Sequence, residues 1–265
     1  MSDIPLGKTS KIPERLAPDV LFPIDRDRQR EPLGIGRPLP FHGADLWTAW
    51  ELTWLKSSGK PSIAALSFAV PVESPAIIES KSLKLYLNSF AMETFADDNA
   101  VVARVRSDLS ACAGAEVTAA LHREAPVAAL PGRSLDDSNV ECRRYDVDPA
   151  ALKADARQEV EETRHSMLLR SLCPVTSQPD FGSVVIRYAG PRIDPDGLLR
   201  YIVSFRQHQD FHEACVERIF TDIAARCSPR KLTVYARYQR RGGLDINPFR
   251  SNFEPVPGND RLWNQ

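Results

Sequence analysis

From residue 44 onward the chain is organised by two alternating periods. In "ADLWTAWELTWL" apolar and polar side chains alternate and aromatics are frequent, which predicts a strand. "SSGK" supplies a turn, and "SIAALSFAVPV" predicts a second strand. The period then changes. In "SLKLYLNSFAMETF", Leu83, Tyr86, Leu87 and Phe90 recur at i, i+3, i+4 and i+7, the stripe of an amphipathic helix. "DNAVVARVRSDLSACAG" predicts a second helix, with Asp98 or Asn99 as its N-cap and Gly114 as its stop. "EVTAALHRE" and "VECRRYDV" predict two more strands.

The same order returns further along. "HSMLLRSLC" and "GSVVIRYAG" predict strands. "DPDGLLRYIVSFRQ" opens with Asp194 and Pro195 at cap and first-turn positions, a helix start. "DFHEACVERIFTDIAARC" is a second helix, with Phe211, Cys215, Ile219, Ile223 and Cys227 at every fourth position. "KLTVYARYQ" alternates, the glycine pair at 242 and 243 turns, and "LDINPFRSNF" returns. Both halves read ββααββ, a duplication of about 100 residues. Antiparallel hairpins with helices on one face make an α+β fold. The expected division is an extended, proline- and charge-rich leader over 1–43, a module over 44–148, a polar, helix-prone linker over 149–163, and a second module over 164–265.

Composition narrows the function classes. Of 265 residues 43% are hydrophobic, enough for a real core, and the net charge of −1 lacks the basic excess of a nucleic-acid binder. No stretch approaches the roughly 18 apolar residues of a membrane span, and "MSDIPLGKTSKIPERLAPD" lacks the apolar core of a signal peptide. A soluble, cytoplasmic protein is expected. Five cysteines with no CxxC pair argue against a disulfide framework. "GIGRPLP" holds a GxG but is followed by prolines rather than a helix, so it is no dinucleotide fingerprint.

Four stretches carry candidate chemistry. In "SLCPVTSQPDFG", Cys173 is either a small buried side chain or a nucleophile. Pro174 ends the strand behind it, placing it at a sheet rim. Pro179 stiffens the loop carrying Asp180, and Gly182 allows a tight turn into the next strand. A thiol needs help to ionise at neutral pH, and a nearby acid can accept its proton or donate one where charge develops. His208, His212 and Cys215 lie at i, i+4 and i+7, a spacing open to zinc or to a polar helix face. "FHE" at 211–213 also reads as a ligand grip at a helix start, a glutamate being matched to the N–H edge of a guanine-like base. In "ESKSLKLYLNSF", Glu79 would face a ligand and Ser80 and Lys81 its phosphates, unless the segment is simply a solvated helix. "RYQRRGG" gathers Arg237, Arg240 and Arg241 beside two glycines, a phosphate-binding combination or a basic turn.

Taken together, "IIESKSLKLYLNSF", "SLCPVTSQPDFGSV", "SFRQHQDFHEACVERIF" and "YQRRGGLDINPFRSN" resemble, in order, the blocks of the NADPH-dependent nitrile reductases of queuosine biosynthesis in their long two-module form. The resemblance spans roughly residues 40 to 255. It implies tandem tunnelling-fold modules and reduction of 7-cyano-7-deazaguanine to 7-aminomethyl-7-deazaguanine, a step of tRNA modification. Matched position by position, it makes Cys173 the nucleophile that forms a thioimide and Asp180 the catalytic acid. His212 and Glu213 position the base, and Glu79, flanked by Ile78 and Ser80, grips it as well. Ser80, Lys81, Arg241 and Gly242 match positions that contact NADPH, and no metal is implied. Ala91 departs from the asparagine that relatives often carry, outside the contact set. The resemblance further implies a homodimer acting on a small-molecule nitrile, with no direct nucleic-acid or membrane contact. The rival classes are a cysteine-dependent nitrile hydrolase, a zinc purine cyclohydrolase and a non-enzymatic purine-binding module.

Overall fold

The structure, a computed structural model, describes Pro5 and residues 12–265. The described residues pack into two compact units, one of residues 12–29, 45–126 and 240–246, the other of residues 30–44, 127–239 and 247–265.

The first unit contains β1 (Pro23–Asp25), most of the single turn α1 (Asp27–Arg30), most of β2 (His42–Lys56), β3 (Pro61–Pro71), β4 (Ala76–Ile78), α2 (Ser80–Asn88), β5 (Thr94–Phe95), α3 (Asp98–Ala113) and β6 (Thr118–His122). Its sheet runs β6-β3-β2, with β3 antiparallel to β6 and β5 parallel to β2. The expected alternation is realised in β3, where Ala64, Leu66, Phe68 and Val70 are buried and their neighbours are not. Leu83, Tyr86, Leu87 and Phe90 of the α2 stripe join this core, and so do Val101, Val105 and Leu109 of α3. Each large side chain so buried contributes roughly 1.5–3 kcal/mol. The α3 cap falls at Asp97, one or two residues before the expected position, and its carboxylate accepts from the Ala100 N–H. Gly114 ends α3 in the left-handed region at φ 69°, and a Cβ there would stand 2.7 Å from Pro75.

The second unit contains β7 (Val127–Ala128), β8 (Arg133–Ser134), β9 (Ala154–Leu172), β10 (Pro179–Ile193), α4 (Pro195–Ser204), α5 (His212–Cys227), β11 (Lys231–Tyr238), most of β12 (Leu244–Ser251) and β13 (Arg261–Leu262). Its sheet runs β12-β11-β10-β9-β8, antiparallel except for the β8–β9 pair. Asp194 caps α4 as expected, accepting from the Gly197 N–H. Cys215, Ile219, Ile223 and Cys227 form the buried stripe of α5. The whole is a mixed α+β protein with mostly antiparallel strands.

Two expectations are corrected. The helix-prone stretch 149–163 is a 3-10 turn, Pro149–Ala151, followed by the first half of β9. Its alanines and glutamates favour a helix, but pairing of Ala154 to Thr163 with β10 from Ile193 to Arg187 overrides that preference. "VECRRYDV" is not a strand; it is an irregular segment whose side chains are largely exposed and offer no apolar face to a sheet.

Candidate active site

The chemistry-bearing stretch of the second unit is a β-hairpin end. Leu172 pairs with Pro179 and Ser171 with Asp180. The ladder runs one step further: the Cys173 N–H donates to the Gln178 carbonyl at 2.9 Å, and the Ser177 N–H to the Cys173 carbonyl at 3.0 Å. Ser177 closes the turn at φ 56°. Residues paired across an antiparallel ladder share a face, and faces alternate along a strand. Leu169, Ser171, Asp180, Gly182 and Tyr238 therefore share one face, and Cys173 has the same parity. All of these are buried, whereas Leu168 and Phe181, of opposite parity, are exposed.

Three readings of this stretch are thus refined. The strand ends at Leu172, before Cys173 rather than at Pro174. Asp180 lies on β10, not on a loop, so its backbone is fixed by the sheet. Gly182 does not turn the chain. It sits within β10, where a Cβ would approach the Tyr238 ring to 3.0 Å.

A second segment clamps the hairpin. The Leu172 N–H donates to the His208 carbonyl, and the Asp210 N–H donates to the Leu172 carbonyl. Gln209 Nε2 donates to Ser177 Oγ at 2.8 Å. This delivers the first turn of α5 to the same face. His212 Nε2 comes within 3.4 Å of Asp180 Oδ2, and its ring stacks on Tyr238 at 3.9 Å between centroids, 23° from parallel. Glu213 is buried in the first turn of α5, near the positive end of the helix dipole. Cys173, Asp180, His212 and Glu213 are thus gathered on one hairpin end and one helix start.

Burial dominates the electrostatics of the surrounding groups. It pushes the Tyr238 hydroxyl and the Cys215 thiol well above their ordinary ranges. It raises the Asp210 carboxyl to about 6 and, aided by Arg218, lowers His208 to about 4. Among the described residues no group of three histidine, cysteine or acidic side chains is arranged to hold a metal ion, so His208, His212 and Cys215 do not form the zinc set their spacing allowed.

The other candidates lie in the first unit. Ile78 ends β4, and Glu79 is the N-cap of α2. The Glu79 carboxylate accepts from the Lys81 N–H at 2.8 Å and the Ser82 N–H at 2.7 Å. Ser80 and Lys81 form the first turn beside it. Arg241 and Gly242 lie in the turn before β12, where Gly242 and Gly243 have φ of 61° and 84°. The φ of Gly242 favours glycine, and its backbone lies beside the movable Lys84 ammonium, which a Cβ would approach to 2.5 Å. Arg237 is not part of this cationic group. It belongs to the second unit, stacks on Tyr235 and donates to Gln265 Oε1 and the Asp260 carbonyl.

Sequence reasoning missed Tyr238, Ser171 and Ser82. The first two were hidden because strand register, not spacing, brings them beside Asp180 and His212. Ser82 was visible as the second serine of "ESKS", but nothing in the sequence tied it to the leader.

Comparison with known proteins identifies the family. The family model described as nitrile reductase, 7-cyano-7-deazaguanine-reductase N-term, matches residues 12–121, and that of the QueF-like proteins matches residues 179–256. NADPH-dependent 7-cyano-7-deazaguanine reductases of Burkholderia pseudomallei and Paraburkholderia xenovorans are each 52% identical, with 98% of both chains covered. That of Burkholderia lata is 53% identical over 97% of this chain and 96% of its own. Among solved structures, the archaeosine synthase QueF-Like in the apo form is 18% identical, covers 37% of this chain and 96% of its own, and has a TM-score of 0.32. With half of its positions shared from end to end, the chain belongs to the family of NADPH-dependent 7-cyano-7-deazaguanine reductases.

Proposed function

We propose that this protein is the NADPH-dependent reductase that converts 7-cyano-7-deazaguanine to 7-aminomethyl-7-deazaguanine in queuosine biosynthesis. The observation that carries the residue assignment is the hairpin end that fixes Cys173 and Asp180 with one parity and brings His212 within 3.4 Å of Asp180.

Cys173 is the nucleophile. Its thiol gives up a proton to the Asp180–His212 pair as the sulfur bonds to the nitrile carbon, one carbon–nitrogen π bond opens, and Asp180 delivers a proton to the nitrogen, leaving a thioimide. His212 orients the Asp180 carboxyl, and with Glu213 and Glu79 it holds the base by its polar edge. Cleavage of the carbon–sulfur bond later returns the thiol. Burial of these groups keeps water from partly reduced substrate, which would otherwise hydrolyse.

The cofactor requirement fits residues of the first unit. Ser80 and Lys81 at the start of α2, with Arg241 and the Gly242 turn, offer hydroxyl, cationic and backbone donors suited to phosphates. NADPH, when bound, supplies the hydrides, two equivalents for the four-electron change from nitrile to amine.

The two halves are read as tandem tunnelling-fold modules, 44–148 and 164–265, joined by 149–163 and preceded by a leader over 1–43. The protein works as a cytoplasmic homodimer on the free base, before its insertion into tRNA. No helix among the described residues is long and apolar enough to cross a membrane. Following NADPH absorbance with a known amount of the nitrile tests the reading. Two equivalents oxidised per nitrile support it; ammonia release with no oxidation identifies a hydrolase instead.

A further inference from the structure

The Glu79 carboxylate is placed by more than its own helix. We infer that Ser82, tied to the leader strand, is a positioning residue that sets Glu79 for the base; this rests on the role given to Glu79 above.

A closed circuit of hydrogen bonds surrounds Glu79. Its N–H donates to the Phe22 carbonyl at 2.9 Å. The Phe22 N–H donates to Ser82 Oγ at 3.0 Å, and Ser82 Oγ donates to the Glu79 carbonyl at 2.7 Å. The Ser82 N–H closes the loop on Glu79 Oε2. The Ser82 hydroxyl therefore joins the leader to the Glu79 backbone, while the Ser82 N–H holds the Glu79 carboxylate, so one residue ties both to the leader. Ser82 and Glu79 are each 1% exposed, so water does not compete for these bonds.

Glutamate is not among the favoured N-cap residues, because its longer side chain must fold back to reach the first-turn N–H groups. Here the backbone on either side is pinned. β1 pairs antiparallel with β4 in the register Pro23 with Ile78, which leads straight into Glu79. Arg26, just past β1, donates to Asp45 Oδ2 at 2.6 Å and to Ser74 Oγ at 3.0 Å, anchoring the strand from its far end.

The same device recurs seven residues along α2. Ser89 Oγ donates to the Tyr86 carbonyl at 2.5 Å and accepts from the Ala17 N–H at 3.2 Å. Positions i and i+7 share a helix face, so the leader runs along α2 on two serine hydroxyls. Only the one at Ser82 reaches Glu79. Ser89 supplies an internal control: its hydroxyl fastens the leader by the same geometry without a bond to Glu79.

The test compares full-length wild type with Ser82→Ala, Ser82→Thr, Ser89→Ala and Glu79→Gln, measuring KM for 7-cyano-7-deazaguanine, kcat and melting temperature. Glu79→Gln raises KM. Ser82→Ala raises KM about tenfold with kcat within about twofold of wild type, a loss of ground-state positioning. Ser82→Thr, which keeps the hydroxyl, restores KM to within about twofold. Ser89→Ala lowers the melting temperature as Ser82→Ala does but leaves KM unchanged. If Ser82→Ala does not fold, Ser82→Cys carries the measurement, with an intermediate rise expected and an unchanged KM contradicting the role. A raised KM in Glu79→Gln with a wild-type KM in Ser82→Ala overturns the positioning role alone. An unchanged KM in Glu79→Gln overturns the Glu79 assignment and the inference with it.

Discussion

The two units treat their functional polar groups in opposite ways. In the first, Glu79 accepts from two backbone N–H groups, and the serine that fixes it is bonded to the leader. In the second, Ser183 Oγ is buried without a hydrogen bond, His208 Nε2 and His212 Nε2 stand 3.7 and 3.4 Å from their carboxylates, longer than a full hydrogen bond, and the Ser171 and Tyr238 hydroxyls meet one another and the Cys215 thiol. A buried group left without a hydrogen bond costs about 1–3 kcal/mol. A grip for a ligand that keeps one charge state is best built as a satisfied, rigid network. A site that must pass protons and change bonding needs groups whose partners arrive with the substrate. On the roles proposed above, the first unit grips the base through a fixed network, and the second grips it beside the groups that make bonds.

Removing the proton donor should separate the units most sharply. Asp180→Asn lowers kcat by roughly 10²- to 10⁴-fold while the dissociation constant of the nitrile changes little. A parallel loss of binding and melting temperature would reduce Asp180 to a structural group. The two glutamates come next. Glu79→Gln and Glu213→Gln each weaken nitrile binding by about ten- to a hundredfold, measured by titration calorimetry, because each replaces a charge-assisted hydrogen bond with a neutral one. Equal losses sharpen the account; an effect confined to Glu213 would place the whole grip in the second unit.

A smaller effect is expected at Gly182. The Cβ of Gly182→Ala meets the Tyr238 ring at 3.0 Å and the Arg237 carbonyl at 3.3 Å, tilting the ring on which His212 stacks. Steady-state assays should show kcat falling about tenfold and stability by about 1–3 kcal/mol, whereas Tyr238→Phe, which keeps the stack, retains kcat within about threefold.

The smallest effect is on pH-dependent stability beside the hairpin clamp. Burial raises Asp210 from 3.8 to about 6, so the folded state holds its proton longer than the unfolded chain, and stability falls as pH rises through that window. Arg218 opposes this shift and Glu217 adds to it. His208 works in the other sense. Lowered from 6.5 to about 4, it stabilises the fold above the upper value and loses that contribution as pH falls. The two slopes offset each other in the wild type. Asp210→Asn removes one of them, raising stability by up to about 3 kcal/mol near pH 7 and by little near pH 4, as urea unfolding across that range would show. A flat difference across the range would mean that Asp210 titrates normally.

Much of this was legible in the chain. Alternation located the long hairpins, the 3.6-residue period located the helices, and Asp194 and Gly114 marked helix ends that the fold uses. Cys173, Asp180, His212 and Glu213 were singled out from motif blocks; strand register sets the parity of the first two, and the backbone clamp at His208 and Asp210 delivers the start of α5. What escaped was set by non-local pairing. β1 is only Pro23–Asp25 and exists because β4 gives it a partner some 50 residues away, beyond the reach of any local period. The first half of β9 carries a helix-favouring composition that only β10 overrides. Arg237 was grouped with its sequence neighbours, yet β11 turns it toward the chain's final residues.

The central claim of the proposal is that the Cys173 sulfur bonds to the nitrile carbon. Intact-mass spectrometry after incubation with 7-cyano-7-deazaguanine, without NADPH, tests it most directly. The account predicts a gain equal to one nitrile per chain in the wild type and no gain in Cys173→Ala. A wild-type chain of unchanged mass under saturating nitrile, or an adduct that survives in Cys173→Ala, would contradict it.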